Sequence, residues 1–290
     1  MIAAPFLLAA VLLASVGDGA APTPLPREVP LFSSTSATPV VLPAVFVGRV
    51  LLKAEINGHP VWLHLDTGTS SLVLGAQSAA SIGAKVNPVT HYSQPLPVSI
   101  GAVRAPTARF LVLPRYGFET RGYHVSGLIG GAFFHANVIT IDYPHQVVTF
   151  YPPRTYVPPP GIVPMPLDLS ANTPVVTATI GSQPGRFLLD TGSDQNELEG
   201  TFAKTLRLGF FHGNATTSGV DGDRLEPIFD SPPITLGNVT ITHCQVAIAN
   251  PPRTSQDGIL GRNLLSFFSI TFDYAHYQAY FVPGPSAIPK

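Results

Sequence analysis

The feature that most constrains this 290-residue chain is that it is written twice. Residues 127–150 (GLIGGAFFHANVITIDYPHQVVTF) and 258–281 (GILGRNLLSFFSITFDYAHYQAYF) align without a gap at a constant offset of 131. Gly127, Gly130, Ile139, Thr140, Asp142, Tyr143, His145 and Phe150 recur as Gly258, Gly261, Ile270, Thr271, Asp273, Tyr274, His276 and Phe281. Upstream, residues 56–68 (INGHPVWLHLDTG) match 180–192 (IGSQPGRFLLDTG), ungapped at an offset of 124. Between the two blocks each half has an extended segment with a turn glycine, Gly101 in one and Gly237 in the other. A repeat of this length predicts two like-folded halves rather than one irregular domain.

Composition narrows what each half can be. Thirty-one prolines and 26 glycines disfavour a helix-rich fold, since proline removes a backbone donor and glycine costs chain entropy in regular elements. Short strands joined by turns are predicted instead, an all-β architecture. Apolar residues at 45% against 11% charged allow a sizeable core. A net charge of -1 without a basic run gives no footprint for nucleic acid. The apolar run in residues 1–16, followed by small residues, reads as a secretory signal over 1–19, with an uncleaved anchor as the alternative. Residues 20–27 are expected to be a flexible leader, and the proline-rich stretch 152–166 to join two lobes, 28–157 and 158–290. A periplasmic or secreted location follows from the signal. The single cysteine, Cys244, cannot form an intrachain disulfide and is expected to be buried.

The chemistry sits at the end of the first repeated block. In both halves an apolar strand runs straight into Asp-Thr-Gly and a hydroxyl residue: Asp66-Thr67-Gly68-Thr69 and Asp190-Thr191-Gly192-Ser193. A carboxylate at the end of a core strand is costly unless it is hydrogen-bonded or shares a proton. Glycine behind it permits a tight turn and the close approach of another backbone. Thr67 and Thr191 can cross-link two such turns, and Thr69 and Ser193 are expected to donate to the carboxylates.

These residues resemble the retropepsin/pepsin clan of aspartic peptidases, in which Asp-Thr/Ser-Gly in each lobe is followed by two apolar residues and a glycine. Here the latter are Leu128-Ile129-Gly130 and Ile259-Leu260-Gly261. The resemblance covers about residues 28–283 at motif level. It implies a bilobed acid-protease fold, two retropepsin-like β-barrel lobes with the active-site cleft between them, and Gly130 and Gly261 threading past the catalytic turns. The second half also has Asp194 and Arg262, as in the retroviral pattern where these two pair; the first half has Ser70 and Gly131 instead. An Asp194–Arg262 ion pair is therefore expected.

What the resemblance implies for function is an aspartic endopeptidase. Asp66 and Asp190 would share one proton and activate a water against a peptide carbonyl, with no covalent intermediate, cofactor or metal. The partner would be an extended peptide or unfolded protein bound by a monomer. A non-catalytic peptide-binding protein on the same fold is the alternative, and a two-carboxylate glycosidase, with its acids about 5 to 9 Å apart, a third. Flap candidates are residues 91–94, with Tyr92 either a flap aromatic or a surface tyrosine, and residues 217–223. His64 shares a strand face with Asp66 and Trp62, where it could tune the pair, and a hydrogen-bonded structural histidine is the expected role. Asp142 and Asp273 read as turn formers, and the nine histidines show no close metal-ligand spacing.

Overall fold

A computed structural model describes residues 31–219, 222–251 and 254–285. The expected signal and leader lie outside the described residues, as do residues 220 and 221 within the second flap candidate. No described helix is long and apolar enough to cross a membrane. The molecule is built from twisted sheets with four short helices among the described residues.

Each half opens with a hairpin that ends in the Asp-Thr-Gly turn. In the first half Val50–Ile56 pairs antiparallel with His59–Leu65, and in the second Val175–Ile180 pairs with Gln183–Leu189. Alternation makes these strands: Leu63 and Leu65 are fully buried in the core, as are Phe187 and Leu189 in the other half. The strand carrying the apolar-apolar-glycine segment then lies parallel to the aspartate strand. Tyr123–Ile129 runs beside His59–Leu65, and Gly258–Leu260 beside Gln183–Leu189. Parallel neighbours need a long crossover. The chain that supplies it forms the rest of each lobe, including the hairpins Leu96–Ile100/Val103–Ala108 and Ile234–Leu236/Val239–Ile241, which turn at Gly101 and Gly237.

A third, six-stranded sheet joins the lobes. At its centre Val138–Asp142 pairs antiparallel with Phe268–Asp273, placing Thr140 opposite Thr271. These are repeat equivalents at the offset of 131, so the pseudo-twofold axis passes between them. Their hydroxyls are 2.7 Å apart and buried. Phe134 packs edge-on against Phe272 and beside Tyr274, and buried apolar residues of both halves join in one continuous core. Asp142 and Asp273 cap their turns by accepting from the His145 and His276 backbone N–H groups, each at 3.0 Å.

The halves differ where they carry long hairpins. Phe211–Gly219 and Gly222–Asp230 form one in the second lobe, spanning the second flap candidate. Residues 91–94 form none; Ser93 bridges to Val86, and Tyr92 bridges to Leu111 within the first lobe. The first lobe instead forms a hairpin between Phe118–Thr120 and Tyr123–Ile129.

Candidate active site

The two aspartates are delivered by the same local device. Asp66 N–H donates to the Ile129 carbonyl and Asp190 N–H to that of Leu260, each at 3.0 Å, so the parallel strand holds each aspartate at its strand end. One residue on, the lobes lock together. Thr67 N–H donates to Thr191 Oγ1 and Thr191 N–H to Thr67 Oγ1, both at 3.0 Å. The Thr67 hydroxyl donates to the Leu189 carbonyl at 2.7 Å and the Thr191 hydroxyl to that of Leu65 at 2.8 Å. All four groups are buried, so the cross-link carries the cost of any unmade bond.

Gly68 and Gly192 lie across from the opposite acid: a Cβ on Gly68 would overlap the Asp190 carboxyl, and one on Gly192 the Asp66 carboxyl. Only glycine permits that approach. Gly68 N–H donates to Asp66 Oδ1 at 2.9 Å and Gly192 N–H to Asp190 Oδ1 at 2.7 Å. Gly130 lies on the Thr69 carbonyl and Gly261 on those of Gln195 and Ser193. The following N–H groups of Gly131 and Arg262 donate to Thr69 O and Ser193 O.

The carboxyl groups of Asp66 and Asp190 are hydrogen-bonded to each other. Removal from water raises Asp66 well above the ordinary carboxylate range, and the Asp190 charge and then the hydrogen bond from Asp190 raise it further; the same hydrogen bond lowers Asp190. Burial also raises Asp190, against the opposing effect of the Gly192 and Ser193 N–H groups. The pair titrates as one unit that retains a proton above the usual pH. Direct contact of this kind leaves no room for the separation of about 5 to 9 Å that a glycosidase needs.

The hydroxyls after the glycines depart from expectation. Ser193 Oγ donates to the Gln195 carbonyl at 2.9 Å, and Thr69 Oγ1 accepts the Ser71 N–H at 3.5 Å. Neither hydroxyl is bonded to its carboxylate. The backbone makes that bond instead, Ser193 N–H reaching Asp190 Oδ1 at 3.2 Å, and each hydroxyl is left to close its own turn.

Arg262 Nη2 donates to Asp194 Oδ1 at 2.8 Å. A residue not singled out in the sequence completes the brace. Arg49, from the first lobe, donates to the Gly192 carbonyl at 2.9 Å and lies 3.6 Å from Asp194 Oδ2. At the first turn an amide takes the corresponding place: Asn172, from the second lobe, donates to the Ser70 carbonyl at 3.0 Å and its own carbonyl presses on Gly131. The only advance signal for either residue was position, since Gly48-Arg49 and Asn172-Thr173 correspond at the offset of 124.

His64 is buried, but its Nε2 has no hydrogen-bond partner, contrary to the hydrogen-bonded role expected. Leu51 and Leu128 lie beside it on the sheet, and the Phe118 ring meets it edge-on at 6.3 Å. Burial, with Arg49 and Arg262 nearby, pushes its pKa down to about 3, so it is neutral. Cys244 is buried, and burial pushes its thiol up to about 12. Among the described residues no three His, Cys, Asp or Glu side chains converge as metal ligands would.

Two β-rich lobes related by a pseudo-twofold axis, with one aspartate from each meeting on cross-linked turns, define a bilobed, pepsin- and retropepsin-like protein of the aspartic protease class. The chain belongs to the aspartyl protease family, whose model matches it twice, over residues 52–133 and 176–264. Among solved structures it is similar in fold to the aspartic proteinase from Irpex lacteus, with a TM-score of 0.54 and 12% identity, covering 85% of this chain and 98% of that one. No curated protein sequence matches it.

Proposed function

We propose that this chain is an endopeptidase that hydrolyses peptide bonds with a water held between Asp66 and Asp190. The observation that carries this reading is the mutual hydrogen bond of the two carboxyl groups, with the proton-retaining pair it creates. The ionised member takes a proton from the water as its oxygen attacks the peptide carbonyl carbon. The protonated member donates to the carbonyl oxygen, and a proton passes to the leaving nitrogen as the C–N bond breaks. Water ends in the new carboxyl and amine, and no covalent intermediate forms. Thr67, Gly68, Thr191 and Gly192 hold the acids in place, and Asp194 and Arg262 brace the second turn.

A peptide would lie extended between the lobes, adding its backbone to strand edges. The protein is proposed to act as a monomer, because one chain supplies both acids, and in the periplasm or outside the cell, on the strength of the apolar run in residues 1–16. The test is digestion of an unfolded protein between about pH 3 and 7 with the intact chain and with Asp66→Asn and Asp190→Asn. Each variant is expected to lose at least about 10³-fold in kcat/KM, because neither acid can do both proton transfers alone. Undiminished cleavage by either variant excludes the paired-acid mechanism.

A further inference from the structure

The two Asp-Thr-Gly turns are alike in backbone and unlike in charge. Behind the second stand Arg49, Arg262 and Asp194, two cations against one anion. Behind the first stand Asn172, Ser70 and Gly131, none of which carries a charge. A proton shared by two buried carboxyls settles on the one whose surroundings favour a negative charge least.

The second turn conveys its excess positive charge to Asp190 through a single peptide group. Arg49 Nη1 donates to the Gly192 carbonyl at 2.9 Å. That carbonyl and the Ser193 N–H belong to one resonant, planar amide. The Ser193 N–H in turn donates to Asp190 Oδ1 at 3.2 Å. A cation on the oxygen end of an amide draws electrons from its nitrogen end, so the N–H becomes a stronger donor to the carboxylate beyond it. Gly192 N–H adds a second bond to the same oxygen at 2.7 Å.

The first turn has no such relay. The Asn172 amide donates to the Ser70 carbonyl at 3.0 Å, and the N–H of that peptide group, on Ser71, meets Thr69 Oγ1 at 3.5 Å rather than the Asp66 carboxyl. Thr69 N–H, the counterpart of Ser193 N–H, donates to the main-chain carbonyl of Asp66 at 3.4 Å. Gly68 N–H donates to Asp66 Oδ1 at 2.9 Å.

The remaining titratable groups do not offset this difference. His64, on the strand of Asp66, is neutral, and burial pushes the hydroxyl of Tyr116 up, with Asp66 near it. Burial likewise pushes Tyr143 up, close to Arg262 and Asp190. Lys53, Glu55 and Arg186, on the strands that lead into the turns or pair with them, are exposed, and Glu119 and His124 on the first-lobe hairpin bond to each other. Burial raises both acids, and the hydrogen bond between them raises Asp66 while it lowers Asp190.

We propose that the proton of the acid pair rests on Asp66, that Asp190 is the ionised member, and that Arg49 sets this choice through the Gly192–Ser193 peptide group. The assignment rests on the peptide-hydrolysis reading above and gives each acid its part in it. The Asp190 carboxylate takes the proton from water, and the Asp66 carboxyl donates to the peptide carbonyl oxygen. Arg49 is a positioning residue, since it reaches the acids only through the backbone of the turn.

Two measurements test this. In the acid limb of kcat/KM against pH, activity rises as the base of the free protein ionises. Arg49→Met is expected to move that limb upward by about half a pH unit, or about a threefold loss at a fixed pH on the limb, because the base loses a cation that favours its charged form. Arg49→Lys, which keeps the charge, should lie between, and Asn172→Ala, which removes the brace of the first turn, should leave the limb in place. A limb unmoved by Arg49→Met, with activity lowered alike at every pH, or an equal movement in Asn172→Ala, overturns the role of Arg49.

The second measurement needs no turnover. Aspartate is labelled with carbon-13 at the side-chain carboxyl, and the two resonances of the pair are assigned by their absence from the Asp66→Asn and Asp190→Asn chains. Titrated from about pH 2 to 8, Asp190 should lose its proton first and Asp66 last. The reverse order, or loss from both in the same step, overturns the assignment. If the intact chain cleaves no peptide but Asp190 ionises first, the hydrolytic reading falls and the assignment stands. If cleavage occurs and Asp66 ionises first, only the assignment falls.

Discussion

At the scale of single residues, His64 is the point where the two copies diverge in chemistry rather than in shape. Leucine fills the same place in the second half, at Leu188. A neutral imidazole with an unpaired Nε2 is tolerated while it stays uncharged, and its pKa of about 3 lies far below the ordinary 6.5. The unfolded chain therefore takes up a proton at this site before the folded protein does. Stability from this group is intact above about pH 6.5 and is lost as pH falls from there toward 3. His64→Leu is expected to flatten the acid limb of the stability curve by about 1.4 kcal/mol for each pH unit below 6.5, read from denaturation midpoints between pH 4 and 7. That Asp66 and Asp190 come together was legible because Asp-Thr-Gly occurs twice at one repeat position. The missing partner of His64 was not legible, since a strand sequence gives the face a side chain occupies but not which atoms lie above it. The hydroxyls of Thr69 and Ser193 were misjudged for a related reason: composition identifies a donor, whereas turn geometry decides where it points.

At the scale of elements, the two Asp-Thr-Gly turns are held by unequal braces. Asp194 receives Arg262 from its own lobe and Arg49 from the other, while the first turn has the Asn172 amide in that place. The Asp194–Arg262 pairing was readable because both partners are absent together from the first half. Arg49 was not, because nothing in its own neighbourhood of sequence distinguishes it from a surface arginine. All three charged groups keep a quarter to a half of their side-chain surface open, at 28%, 29% and 48% for Arg49, Arg262 and Asp194, so each pair is worth about 1 kcal/mol or less. Arg49→Met and Arg262→Met should each cost no more than about that, and the double variant should differ from their sum because both act on one carboxylate. A thermal-denaturation cycle with Asp194→Asn measures the coupling. Additive losses within about 0.3 kcal/mol would show two independent contacts. The long hairpins illustrate the limit of reading elements from a repeat: Gly101 and Gly237 turns were expected at equivalent places and are found there, but the first lobe's aromatic hairpin lies in the variable stretch, where the copies provide no template.

At the scale of the whole molecule, the acid pair makes stability depend on pH in the opposite sense to His64. The raised Asp66 retains a proton in the folded protein that the unfolded chain gives up near pH 4. Its contribution is fully present below that value and is lost as pH rises through the folded one. Asp190→Asn removes the neighbouring charge, so the decline in stability above about pH 4 should be shallower in that variant than in the intact chain, by thermal unfolding at a series of pH values. An unchanged slope would mean that burial alone sets the titration. The bilobed fold was the most legible level of all, since two copies of one pattern imply two copies of one lobe. The sheet that joins them was not spelled out, because strand pairing between Val138–Asp142 and Phe268–Asp273 depends on which edges remain free after each lobe has closed.

The glycines that lie against the opposite acid also determine how such a molecule can fail. Gly68 is moulded on Asp190 and Gly192 on Asp66, while each threonine turn is completed by the other lobe's backbone. Neither half holds its aspartate turn without the other. A separation of the lobes by about an ångström breaks the four threonine hydrogen bonds and parts both acids in the same movement. Loss of the site is thus expected to be all-or-none: heat, strain or a badly placed methyl group on that seam should part both acids together.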